Sequence, residues 1–288
     1  MENIRGSILM AVAMAAFAME DMFVKSAASH VAVGIVLMMF GLGGMAVFAT
    51  LIASRGQSLG HRALLSPPML TKLGLDVVGR LGYTLGIALT PLSNASTILQ
   101  ATPLVVVAGA AIVFSERVGT RRWIAVGIGF LGVLIVLRPG LEGFVPAAMW
   151  TVLGMFGFAG RDLATRACPP VLSNFQLSFY GFAILLPTGA LILAITGGAG
   201  LPDWVALRDV AGAVCFGTFA YWALTKAMRM GEVSVITPFR YTRLIFALIL
   251  GALVFGERPD GAMIVGSVLI VASGLYTLLE QRRVRRLA

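Results

Sequence analysis

Ten stretches of about twenty mainly apolar residues follow one another along this chain, at 5–27, 34–54, 70–90, 94–114, 120–138, 147–166, 173–196, 207–228, 233–255 and 260–280. A helix rises 1.5 Å per residue, so each run is long enough to cross the roughly 30 Å hydrocarbon layer of a bilayer. Backbone inside that layer must satisfy its own hydrogen bonds, and runs of this length do so as helices. The expected fold class is therefore an all-α polytopic membrane protein with ten transmembrane helices. Only 12% of the 288 residues are charged, about half the share usual in soluble domains, and mean hydropathy is +0.92. A soluble enzyme or binding domain is excluded on these grounds.

The connections are short. The longest, near 55–69, holds Gly56, Gly60 and Pro67-Pro68, and none has room for a soluble domain. A net charge of +9 would suit a nucleic-acid binder, but the basic residues punctuate apolar runs instead of sharing one solvent face. Their distribution reads as topology. Loops and helix ends on one side carry 14 of them, from Arg5, Arg55, Arg62 and Lys72 through Arg121 and Arg122 to the Arg282–Arg286 cluster. The other side carries 4: Lys25, Arg138, Arg208 and Arg258. The positive-inside rule places both termini in the cytoplasm. Ala16-Phe17-Ala18 has the small-x-small form of a leader cleavage site, but the first helix is expected to be retained because it belongs to a repeat. Cys168 and Cys215 lack ligand spacing and read as packing residues. His30 and His61 lie apart in connections, so neither a metal nor another cofactor is expected.

Sliding the chain against itself by 141 residues places Met14, Phe17, Ala18 and Asp21 on Met155, Phe158, Ala159 and Asp162. The same offset places Lys25 on Arg166, Ser93 on Ser234, and VFSER (113–117) on VFGER (254–258). One gapless offset serving both ends indicates a repeat, with halves at 1–141 and 142–288. Five helices per half is an odd number, so the second half should insert upside down. Inverted repeats around a midplane site are a common construction of secondary transporters.

The stretches TPLSNASTILQATPLVVVAGAAIVFSERVGTRRWIAVGIGFLGVLIVLRP (90–139) and MGEVSVITPFRYTRLIFALILGALVFGERPDGAMIVGSVLIVASGLY (230–276) carry a family resemblance. With its Glu-Arg after the fourth helix of each half, the chain resembles the EamA branch of the drug/metabolite transporter superfamily. Within that branch it looks most like bacterial YddG-type amino-acid exporters. The resemblance implies a monomeric ten-helix carrier in the bacterial inner membrane, moving aromatic and other amino acids by alternating access. It departs from small multidrug relatives, which carry a lone glutamate midway along helix one where this chain has Met14.

Charges inside the apolar runs are the candidate working residues, since ions at bilayer depth are costly and tend to be functional. Asp76, Arg80 and Tyr83 share a helix face, so an Asp76–Arg80 pair is expected, either structural or holding Arg80 toward substrate. Arg240 and Arg243 share a face with Tyr241 beside them, and an arginine fork suits a substrate carboxylate. On this reading Arg243→Ala abolishes uptake and leaves folding intact. Gln100, Tyr221 and Trp222 complete the expected cavity wall. Asp21, Asp76, Arg161 and Asp162 are expected to couple or gate, with Glu20 a further counter-charge. Lys72 and Lys226 read as topology signals, Phe158 and Phe182 as packing, and Glu116 and Glu257 as loop-ordering salt-bridge residues. Pro103, Pro187 and Pro238 are hinge candidates, and Gly127, Gly129 and Gly132 are expected at close helix contacts.

Absence of a Walker motif argues against ATP-driven transport, and absence of HExxH against a zinc protease. The alternatives left open are carriers of organic cations or of phosphorylated or nucleotide-linked sugars, an anion channel, and an intramembrane enzyme.

Overall fold

The computed structural model describes residues 2–113, 115, 118–141, 144–168, 171–198, 200–230 and 236–287, with the side chains of 3, 166, 225, 228–230, 237 and 281–287 excepted. Among the described residues there are helices and turns but no strand. The helices are α1 (Glu2–Ala27), α2 (Val33–Ala53), α3 (Pro67–Leu89), α4 (Leu92–Leu99), α5 (Thr102–Val113), α6 (Thr120–Leu137) and α7 (Ala148–Arg166). They continue with α8 (Asn174–Ala183), α9 (Leu185–Thr196), α10 (Trp204–Met230), α11 (Thr242–Phe255) and α12 (Gly261–Leu287). Short 3-10 turns occupy Arg62–Leu65 and Thr237–Tyr241.

Among the described residues, seven spans are long and apolar enough to cross a membrane: Ile4–Ala28, Val33–Ala53, Leu92–Val113, Thr120–Leu137, Asn174–Thr196, Pro238–Phe255 and Gly261–Glu280. The other three expected spans form helices of 23, 19 and 27 residues, α3, α7 and α10. They are of membrane length but carry Lys72, Asp76 and Arg80, then Arg161 and Asp162, then Arg208, Asp209 and Lys226.

The fourth and seventh expected helices are broken, and proline explains both breaks. A proline ring clashes with the carbonyl four residues back and donates no hydrogen bond to it. Four residues before Pro103 is Leu99, the last residue of α4; four before Pro187 is Ala183, the last of α8. Each proline then sits in the first turn of the next helix, where a missing N–H costs nothing. Pro238 likewise opens the 3-10 turn before α11.

Helices pack in pairs that exchange under the 141-residue offset. α1 lies along α10 and α7 along α3; α2 meets α8 and α9, and α6 meets α12. Each pair joins a segment of one half to a segment of the other. The α3–α7 seam is glycine to glycine: a Cβ on Gly82 would lie 2.5 Å from the Gly154 nitrogen, closer than two atoms can approach. Gly132 does the same work between α6 and α12, against the Gly266 carbonyl. Gly127, expected beside it, faces open space.

Candidate functional site

Among the described residues, four carboxylates and four cations meet where α1, α3, α7 and α11 converge with α10. α1 supplies Glu20 and Asp21; α3 supplies Lys72, Asp76 and Arg80; α7 supplies Arg161 and Asp162; α11 supplies Arg243. The set is formally neutral. That balance is what a low-dielectric interior requires, because an unpaired ion there carries a desolvation penalty of several kcal/mol, on the order of that for a buried charge without a partner.

Asp21 is the most completely satisfied member. The guanidinium of Arg243 donates to its Oδ2 from Nη2 at 2.6 Å and from Nε at 3.2 Å, and the Tyr83 hydroxyl donates at 2.8 Å. The Arg243 fork, expected to be open to a substrate carboxylate, is thus held by an internal one.

Asp76 does not pair with Arg80. Its two oxygens reach Lys72 at 3.6 Å and Arg161 at 3.4 Å, across the α3–α7 seam. Side-chain direction is the reason: Lys72 lies one turn toward the N-terminus, the way helical side chains lean. Lys72, read as a topology signal, is therefore part of the buried cluster, its side chain only 7% exposed. Arg161 also holds its neighbour Asp162 at 2.8 Å. Asp162 is half-exposed whereas its repeat mate Asp21 is buried.

Arg80 pairs with Glu20, at 3.4 Å, and donates to the Tyr221 hydroxyl at 3.3 Å. Arg80 and Tyr221 are repeat mates, 141 residues apart, and they touch. Glu20 Oε2 and Arg80 Nε are buried without a hydrogen-bond partner among the described residues.

Aromatic rings line the charges in a repeated pattern. Arg243 lies over Phe17 at 5.1 Å and Arg161 over Phe158 at 4.6 Å, within cation–π range. Phe17 meets Tyr221 edge-on at 5.6 Å, and Phe158 meets Tyr83 edge-on at 6.1 Å. Phe158, expected as packing or lipid contact, is thus in contact with charge. Its identity with Phe17 across the repeat was the available signal.

Other expected residues lie apart from the cluster. Gln100 caps the α4 break and donates to the Arg240 carbonyl at 3.2 Å. Arg240 has no carboxylate partner among the described residues. The Tyr241 hydroxyl has no hydrogen-bond partner among the described residues and abuts Gly274; its ring lines an outer groove with Pro238, Thr242 and Leu275. Trp222 is 39% exposed and packs with Phe219 and Lys226, facing outward.

One end of the bundle is tied by Lys25 and Glu257. Lys25 donates to the carbonyls of Ile87 and Thr90, satisfying the end of α3, and approaches Glu257 at 3.8 Å. Glu257 accepts from the backbone N–H groups of Leu92 and Ser93 and from the Ser93 hydroxyl. It is a carboxylate cap on α4, favoured by the helix dipole. In this pair the repeated Ser is a helix start and the repeated Glu, from the other half, is its cap. Glu116 and Ser234, the equivalent pair, lie outside the described residues.

These features coincide with a family match. The profile of the EamA-like transporter family matches residues 4–138 and, a second time, residues 145–279. The chain belongs to the EamA-like transporter family. The two matched segments are displaced by 141 residues at both ends, from 4 to 145 and from 138 to 279, the offset read from the sequence. Relatives within reach of this EamA chain are named transporters. It is 24% identical over 210 residues to the S-adenosylmethionine uptake transporter of Rickettsia prowazekii, covering 71% of this chain and 69% of that one. It is 27% identical over 217 residues to the riboflavin transporter of Rhizobium johnstonii, covering 75% and 72%. It is 23% identical over 274 residues to the pseudopaline exporter CntI of Pseudomonas aeruginosa, covering 93% and 94%. These names bring the resemblance to YddG-type amino-acid exporters back to the level of the family. A solved crystal structure with 18% identity superposes over 96% of this chain and 98% of its own, with a TM-score of 0.63, and shares the fold.

Proposed function

We propose that this EamA transporter is a secondary carrier for small zwitterionic metabolites, namely amino acids and compounds built on an amino-acid group. It works as a monomer in the bacterial inner membrane by alternating access. Its ten helices form two five-helix halves, 1–141 and 142–288, inserted in opposite orientation with both termini cytoplasmic. The observation that carries this reading is the neutral cluster of four carboxylates and four cations between the halves. A neutral, interleaved set resists a ligand of net charge, whose uptake would leave an ion unpaired in low dielectric. A zwitterion can exchange with an internal ion pair, taking one charge of each sign, and leave the count unchanged. The named relatives support a small-metabolite carrier without fixing direction, since one is an uptake transporter and another an exporter.

Counterflow in proteoliposomes tests the reading. Labelled L-phenylalanine, S-adenosylmethionine, a cationic drug and a nucleotide sugar are each offered with the same unlabelled compound inside. Exchange of phenylalanine is expected; S-adenosylmethionine, whose sulfonium leaves it a net cation, should not exchange, and its exchange without phenylalanine would count against the reading. Exchange of the drug alone or the nucleotide sugar alone would sink the zwitterion reading, and a large uncoupled anion current would make the protein a channel.

A further inference from the structure

Two of the buried polar atoms without a partner among the described residues belong to a single ion pair. Glu20 Oε2 is a free acceptor on an anion, and Arg80 Nε is a free donor on a cation. The pair is loosely made, at 3.4 Å, although Glu20 is only 3% exposed. Buried polar atoms in native proteins are nearly always paired, so an orphan acceptor beside an orphan donor calls for a ligand that supplies both partners. The acceptor is tightly enclosed: a Cβ on Gly217 would lie 3.1 Å from Oε2 and 2.9 Å from the ring tip of Phe40, so only a glycine lets α10 pass this close to the carboxylate, and a ligand reaches Oε2 when the α1–α10 seam parts. Beyond Arg80 stands Tyr221, whose ring is flanked by Phe17 at 5.6 Å and Phe182 at 5.7 Å.

We infer that Glu20 and Arg80 form the head-group site for an α-amino-acid moiety. Oε2 accepts from the ligand's ammonium, and Nε donates to its carboxylate. The Tyr221, Phe17 and Phe182 rings form an apolar wall for the ligand's side chain, which suits aromatic and long aliphatic groups. Asp21 and Arg243, already saturated by one another and by Tyr83, stay paired while the ligand is bound. The inference rests on the carrier reading above and assigns recognition to atoms within it. Glu20 enters as the acceptor of a bound ammonium and not only as a counter-ion.

The test removes one charge at a time from the ligand and from the protein. Full-length protein in proteoliposomes exchanges labelled L-phenylalanine against L-phenylalanine, 3-phenylpropionate (no ammonium) or phenethylamine (no carboxylate). Wild-type protein should favour phenylalanine over each truncated analogue by at least tenfold. Glu20→Gln should lose most of its discrimination against 3-phenylpropionate and keep that against phenethylamine. Arg80→Lys, which lacks the Nε donor, should do the reverse. Thermal unfolding checks each variant, and either one that folds decides its half of the site. Carbodiimide labelling of Glu20 in the wild type, read by mass spectrometry, is independent of both variants: phenylalanine should slow it and 3-phenylpropionate should not. Exchange by the wild type with discrimination unaltered in the variants, or labelling that no competitor slows, overturns the head-group site alone. Absence of exchange with phenylalanine overturns the substrate class on which it rests.

Discussion

Glu20 and Asp21 are neighbours in the chain, sit on the same helix and are each 3% exposed, yet they live in opposite circumstances. Asp21 receives three hydrogen bonds on one oxygen, two from Arg243 and one from Tyr83, none longer than 3.2 Å. Glu20 touches one arginine at 3.4 Å and leaves an oxygen bare. Consecutive residues point about 100° apart around a helix, so one carboxylate turns toward α11 and the other toward Gly217 on α10. The difference separates two jobs that burial alone would not distinguish. A saturated pair holds helices together, whereas an unsaturated one is available to something else.

The largest effect should come from breaking the saturated pair. Arg243→Ala strands a buried carboxylate, and loss of one partner from such a pair costs about 3–5 kcal/mol. A fall in thermal stability in detergent is expected, together with loss of transport, which revises the sequence-based expectation that folding would be spared. Replacing both Asp21 and Arg243 by leucine should recover most of the stability; a double variant as unstable as the single one would show that the pair is not what was lost. Next is Tyr83→Phe, which removes a hydrogen bond to a charged group, worth about 1.5–3 kcal/mol. Chemical or thermal unfolding measures it, and a change below about 0.5 kcal/mol would contradict a saturated Asp21. On the loose side, Tyr221→Phe removes a 3.3 Å contact and should shift stability by no more than about 1 kcal/mol. An effect as large as that of Tyr83→Phe would erase the distinction between the two pairs. Smallest is Trp222→Ala: the side chain faces outward, so counterflow rates should stay within about twofold of wild type, under about 0.5 kcal/mol.

Much of the scaffold was legible because helix length and proline position are local properties. Most of the expected spans coincide with helices to within a few residues, the last helix running on to Leu287, and Pro103 and Pro187 mark the places where two of them break. The 141-residue repeat was legible because Phe17, Asp21 and Ser93 each meet their equivalents at one offset. Pairing inside the bundle was not. Helical spacing put Asp76 and Arg80 on one face, but which of them met was decided by α7 and α1, which carry Arg161 and Glu20. Lys72 looked like a loop charge because it stands near a helix end; its burial follows from packing against α7 and has no signature in spacing. Arg243 is largely enclosed by protein, while its partner 222 residues away could not be read from the local sequence.

The touching of Arg80 and Tyr221 carries a further consequence. Two equivalent positions that meet lie on the axis relating the halves, where every side chain faces its own counterpart. Were the two halves separate copies of one peptide, an arginine there would confront an arginine. Like charges about 4 Å apart repel by about 4 kcal/mol even at an effective dielectric constant of 20. Covalent fusion removes that restriction, because a gene encoding both halves can change one occupant without the other. Two separate copies of one repeat could therefore share these helix pairings but not this centre; the single chain is what permits a lopsided middle within an otherwise even frame.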